Sequence, residues 1–81
     1  MDKTYQIAGI LVKDPEGAYL ELQKILTSYG CAIRSRLGIN NDNFDGGIII
    51  LDLQGDKQQI EFLMQKLNNL TGIEVQYMDF I

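Results

Sequence analysis

Asp14-Pro15-Glu16-Gly17-Ala18 separates two segments that cannot share a secondary structure. Before it, Thr4–Lys13 reads as an extended apolar strand. Ile7, Gly9 and Leu11 fall on one side of that strand, and Ala8, Ile10 and Val12 on the other. Both sides are apolar, so both faces are expected to be covered. After the break, Ala18, Leu22, Ile25, Leu26 and Tyr29 recur at helical spacing. Asp14 is placed to cap that helix. Pro15 takes the first helical position, where a missing N–H costs nothing, and Gly30 is placed as the stop.

The second half follows the same order. Cys31–Ile39 reads as a strand with Ile33, Ser35, Leu37 and Ile39 on one face and Ala32, Arg34, Arg36 and Gly38 on the other. Asn40–Gly46 is polar and reads as a loop. Gly47–Leu53 contains the continuous run Ile48-Ile49-Ile50-Leu51, the pattern of a central strand buried on both sides. Asp56 caps a second helix, Gln59 completes a capping-box-like spacing, and Ile60, Leu63, Met64 and Leu67 form its apolar stripe. Thr71-Gly72 turns the chain into a last strand, Ile73–Phe80.

Strand, helix, strand, strand, helix, strand in 81 residues predicts one α+β domain spanning residues 1–81. With right-handed crossovers this is the ferredoxin-like βαββαβ layout: a four-stranded antiparallel sheet with two helices on one face and the first and third strands in the centre. The other face then carries either Ala8, Ile10 and Val12 or Ile7 and Leu11, with part of Ile48–Leu53. A bare apolar patch of that kind marks an association surface, which predicts a homo-oligomer, a dimer or a tetramer. Loops or the Tyr77–Ile81 segment folding over the face are the alternative.

Composition narrows the function classes. The net charge is −4 with seven scattered Lys and Arg residues, which argues against direct nucleic-acid binding and against anionic membrane surfaces. No apolar run approaches the roughly 20 residues of a membrane helix. A single cysteine, Cys31, forms no internal disulfide, and Met1–Thr4 has no signal-peptide pattern, so a cytoplasmic protein is expected. The sequence contains no histidine. An activated cysteine and a zinc or nickel site are therefore not expected, and Cys31 reads as a small buried hydrophobe. No phosphate loop, dinucleotide fingerprint or nucleophile elbow is present, and no metal or cofactor is expected.

Three clusters invite a functional reading. The Asp14–Ala18 turn opens a helix whose free N–H groups suit an anion, with Gly17 allowing close approach of a ligand or partner; a plain capped helix start is the simpler reading. Arg34 and Arg36 could hold an anionic ligand or an acidic partner residue, or form a solvated strand edge. Asn41, Asn43, Asp45, Gly46 and Asp52 fall at positions of a calcium-loop pattern, but strands flank them where helices are required, so a hairpin loop is the expected structure.

The turn Asp14-Pro15-Glu16-Gly17-Ala18 resembles the Asp-x-Pro-Gly turn of ACT domains, with the proline one place early. That resemblance implies a small anionic ligand such as an amino acid, bound between subunits near Gly17. Across nearly its whole length the chain is similar to small stand-alone proteins described as regulators of the iron-only hydrogenase system. Arg36-Leu37-Gly38, Gly47–Leu53, Ile60–Leu67 and Thr71-Gly72-Ile73 carry this likeness. It implies a cytoplasmic, non-enzymatic ferredoxin-like regulator without an iron cluster. The expected ligand contacts are Asp14, Pro15, Glu16, Gly17 and Ala18, and Arg34 and Arg36 are the expected anion or partner contacts. A protein-interaction module without a small ligand is the alternative.

Overall fold

The computed structural model describes residues 3–41 and 44–80. The elements are β1 (Lys3–Val12), α1 (Pro15–Ser28), β2 (Ile33–Asn41), β3 (Phe44–Asp56), α2 (Lys57–Asn68) and β4 (Ile73–Asp79). They form one four-stranded sheet in the order β2-β3-β1-β4, each neighbouring pair antiparallel. The expected βαββαβ architecture and central strand pair are therefore present.

Strand parity decides which side meets the helices. Ala8, Ile10 and Val12 of β1 and Ile49, Leu51 and Leu53 of β3 are buried. They pack with Leu22 and Leu26 of α1 and Ile60, Leu63, Met64 and Leu67 of α2 into one core cluster. Ile7, Gly9 and Leu11 consequently lie on the open face, half-buried beside Ile48 and Ile50. Thr4 and Gln6 share the buried side of β1 despite their polarity, and the buried Gln6 Oε1 has no donor among the described residues.

Several boundaries differ from expectation. The polar stretch before Gly47 is largely strand: β2 runs to Asn41 and β3 begins at Phe44, because the two arms of a hairpin satisfy each other's backbone groups even where side chains are polar. Residues 42 and 43 lie outside the described residues, as does Ile81. Helix α1 ends one residue early on Tyr29, whose N–H donates to the Ile25 carbonyl while Gly30 N donates to Thr27 O, and Gly30 has no left-handed backbone. The Asp56 carboxylate accepts from Gln58 N at 2.9 Å, one residue short of the expected capping-box bond. Through Phe80 the C-terminal segment does not fold across the open face: β4 pairs with β1 through Asp79, and Phe80 N then donates to Tyr5 O.

A register shift between Ile33 and Ser35 breaks the alternation of β2. Ile33 pairs with buried Leu53, while Ser35, Leu37 and Ile39 pair with Asp52, Ile50 and Ile48 of the open face. Ile33 therefore leaves the side assigned from simple alternation, and Arg34 stands at the irregularity rather than on an unbroken face with Arg36.

Truncating Leu51, fully buried between sheet and helices, should cost about 2–5 kcal/mol of stability. Urea unfolding of Leu51→Ala measures this. Gln6→Leu removes the unpaired amide oxygen at similar volume and should be neutral or stabilising in the same assay.

Candidate functional site

The Asp14–Ala18 turn is built by backbone constraints on both sides. Lys13 N and Asp14 N both donate to Gly72 O, at 2.8 and 3.0 Å, so the turn before α1 is pinned to the turn before β4. Gly72 makes this possible. Its φ of +87° favours glycine, and a Cβ there would lie 3.1 Å from Asp14 Cβ and 3.2 Å from Ala18 Cβ.

Within the turn, Asp14 Oδ1 accepts from Gly17 N at 3.1 Å, and Ala18 N donates to Asp14 O at 2.9 Å. A Cβ on Gly17 would fall 2.5 Å from Asp14 Oδ2, so the glycine lets the capping carboxylate lie close. Pro15 has no N–H to offer. Asp14 itself thus takes the Gly17 donor that an incoming anion would use. Asp14, Glu16 and Gly17 are exposed, Pro15 is half-buried and Ala18 is buried.

The two expected clusters are not brought together. Arg36 lies on edge strand β2, where Nη2 donates to Gln23 Oε1 of α1 at 3.0 Å. Arg34 and Arg36 are both exposed, and neither forms a salt bridge among the described residues. Cys31 is exposed, contrary to the buried position expected for it, because β2 begins two residues later and leaves Cys31 in the turn. Of the calcium-loop pattern, Asn43 and the side chains of Asn41 and Asp45 lie outside the described residues. Asp52 sits well down β3 opposite Ser35 and Ile7, with its carboxylate accepting from Ser35 Oγ and Gln54 Nε2 at 3.3 Å each. Among the described residues no group of three or more His, Cys, Asp or Glu could hold a metal.

The open sheet face carries features the sequence pattern left ambiguous. Ile7, Leu11, Ile48 and Ile50 form its central apolar strip, extended by exposed Leu37 and Ile39 on β2 and Met78 on β4. Gly9 leaves a depression in this strip, bordered by Leu11, Ile48, Glu74 and Gln76. At its rim Glu74 accepts from Gln76 Nε2 at 2.9 Å and pairs with Lys13 Nζ at 3.1 Å. The first signal of this face is Gly9 itself, the small residue among bulky ones on the odd positions of β1.

Residues 4–77 match a family described as "TM1266-like: Iron-only hydrogenase system regulator, putative". The chain belongs to that family. TM1266 from Thermotoga maritima, described as uncharacterized, superposes with a TM-score of 0.89 at 29% identity, over 99% of this chain and 100% of its own. A protein described as PII-like, from Thermus thermophilus, matches with a TM-score of 0.55 at 10% identity over 99% of this chain and 90% of its own. SnoaB, a cofactor-independent oxygenase from Streptomyces nogalater, gives 0.52 at 10% identity over 100% and 93%. At such identities the last two share the ferredoxin-like fold and carry no function across. No curated protein matches the chain. No described helix is long and apolar enough to cross a membrane.

The Glu74 carboxyl is held below its ordinary value of 4.5, first by the hydrogen bond from Gln76, then by the hydrogen bond and charge of Lys13. A depressed folded value means that the anion's contribution to stability is present above pH 4.5 and is lost as pH falls through the folded value. Carbon-detected NMR titration should place the Glu74 midpoint below 4.5, and Gln76→Ala should move it back upward. A midpoint at or above 4.5 contradicts the geometry.

Proposed function

We propose that this chain is a non-enzymatic regulatory module of an iron-only hydrogenase system, working as a homo-oligomer that packs through its open sheet face. The apolar strip of Ile7, Leu11, Ile48 and Ile50, uncovered by either helix, is the observation that carries the reading. Family membership supports the regulatory role. The absence of histidine and the engagement of the Asp52 and Glu74 carboxylates with neighbouring side chains support a binding rather than a catalytic task.

The finer part of the proposal is a small ligand at the Asp14–Ala18 turn, near a subunit boundary, as in ACT-type sensors. Asp14 already caps Gly17, and Glu16 is exposed beside it, so the turn presents two carboxylates. An amino acid would meet it through its ammonium group, while its carboxylate would compete with Asp14 for the Gly17 N–H. The ligand would shift the equilibrium between subunit arrangements only by as much as it binds one better than the other. Arg34 and Arg36, both exposed, would meet an acidic partner; Arg36 Nη2 donates to the neutral Gln23.

Native mass spectrometry tests the assembly. The wild type should appear at two or more times the subunit mass, and Ile50→Lys should abolish the face-packed species with far-UV circular dichroism unchanged. A wild type that is monomeric at micromolar concentration overturns the reading. For the ligand, titrating an amino-acid panel into labelled protein should shift the Glu16 and Gly17 amide resonances. Amides that stay unmoved at millimolar concentrations of every member remove the turn as the site.

A further inference from the structure

The two edges of the sheet are unlike each other in a complementary way. Edge strand β2 is exposed from Arg34 to Asn40, and its charged side chains are Arg34 and Arg36. Edge strand β4 carries Glu74 and Asp79, with exposed Tyr77 and Met78 between them. Each edge presents a row of outward backbone N–H and C=O groups that its own sheet leaves unpaired. Each is seven residues or longer.

From these observations we infer that β2 of one copy pairs with β4 of the next, extending the sheet head to tail into a ring or filament. Direction, charge and side-chain fit support the same contact. Successive neighbours in the order β2-β3-β1-β4 are antiparallel, so β2 and β4 of one sheet run in opposite senses. A second copy placed alongside, helices on the same side, therefore meets the first in antiparallel register without being turned over.

Charge selects the unlike pair. Joining β2 to β2 gathers arginines from both copies with no acid on either strand, and joining β4 to β4 gathers glutamates and aspartates. Only β2 against β4 sets Arg36 beside an acid, the partner's Asp79.

That one alignment fixes its neighbours. Arg36 pairs with Leu51, and Asp79 with Gln6, both on the buried helix side, so the two charges share a face. One step along, Leu37 meets the partner's Met78, both on the open side and 60% and 57% exposed in the single chain. The next step sets Gly38 against the partner's Tyr77. A Cβ at Gly38 would find nothing within 4 Å, which leaves room for an aromatic ring 53% exposed on its own strand. Aromatic side chains lying over a glycine on the neighbouring strand stabilise such pairs. The contact is heterologous, so the same patch never meets itself and growth stops only if the rotation between copies closes. It uses the edges and is independent of packing through the open face.

Two charge reversals test it by size-exclusion light scattering at about 20 mM and about 500 mM salt, where screening differs several-fold. The wild type at low salt should form species larger than a dimer, which diminish at high salt. Arg36→Glu and Asp79→Arg should each lose those species, retaining at most the unit joined through the open face. Mixing the two variants, or combining both changes in one chain, restores opposite charges across the contact and should restore the larger species. Regain by the double variant also shows that the single variants had not merely misfolded. Single variants that assemble like the wild type overturn the proposal. So does a mixture that stays small, or a wild type that never exceeds a dimer at low salt. Ile50→Lys separates the two readings, because it removes the open-face contact and leaves edge pairing in place.

Discussion

Two helices can cover only one side of a four-stranded sheet, and the inner strands of this sheet are apolar on both sides. That mismatch organises the molecule. The side that receives Ala8, Ile10, Val12, Ile49, Leu51 and Leu53 becomes a closed core with the helices. The other side keeps Ile7, Leu11, Ile48 and Ile50 against water. Hydrophobic burial is the main favourable term in folding, roughly 25 cal/mol per Å2 of apolar surface removed from water. An uncovered strip on the two central strands is therefore a standing source of association free energy.

The ends of the sheet are held by a different kind of bond. Gly72 O receives both Lys13 N and Asp14 N, and the absence of a side chain at Gly72 lets Asp14 and Ala18 approach. The entry to α1 is thereby fixed relative to β4, which also carries Glu74 and its Lys13 partner. The Asp14–Ala18 turn and the ion pair at the rim of the Gly9 depression thus lie at one corner of the sheet.

The order of elements was legible in the sequence because hydrophobic period and capping chemistry agreed. Asp14 with Pro15 marked one helix start and Asp56 the other, and the Ile48–Leu51 run marked a central strand. Which face of β1 is inward was not legible, because Ala8, Ile10 and Val12 carry no stronger apolar signal than Ile7 and Leu11; the helices above them decide it. The strand character of residues 44–46 was hidden by loop-forming side chains, since the pairing that makes them strand lies in the partner residues of β2. The Arg36–Gln23 bond joins residues 13 apart on different elements, and the irregularity at Arg34 has no local composition mark. Candidate site residues chosen by type were thus found, but their partners were not.

The pairing of β1 has a consequence for how the chain acquires this structure. Lys3 lies opposite Asp56, and Val12 opposite Ile73. The first strand therefore waits for partners that come more than thirty residues later in synthesis, and only the β2–β3 hairpin and the helices can form from neighbouring sequence. Loop closure must precede most of the reward from burial, which places the chain below all-helical bundles of its length in folding rate. Until β3 and β4 have arrived, β1 is an apolar strand with both edges open, and the growing chain is most exposed to misassociation over that interval.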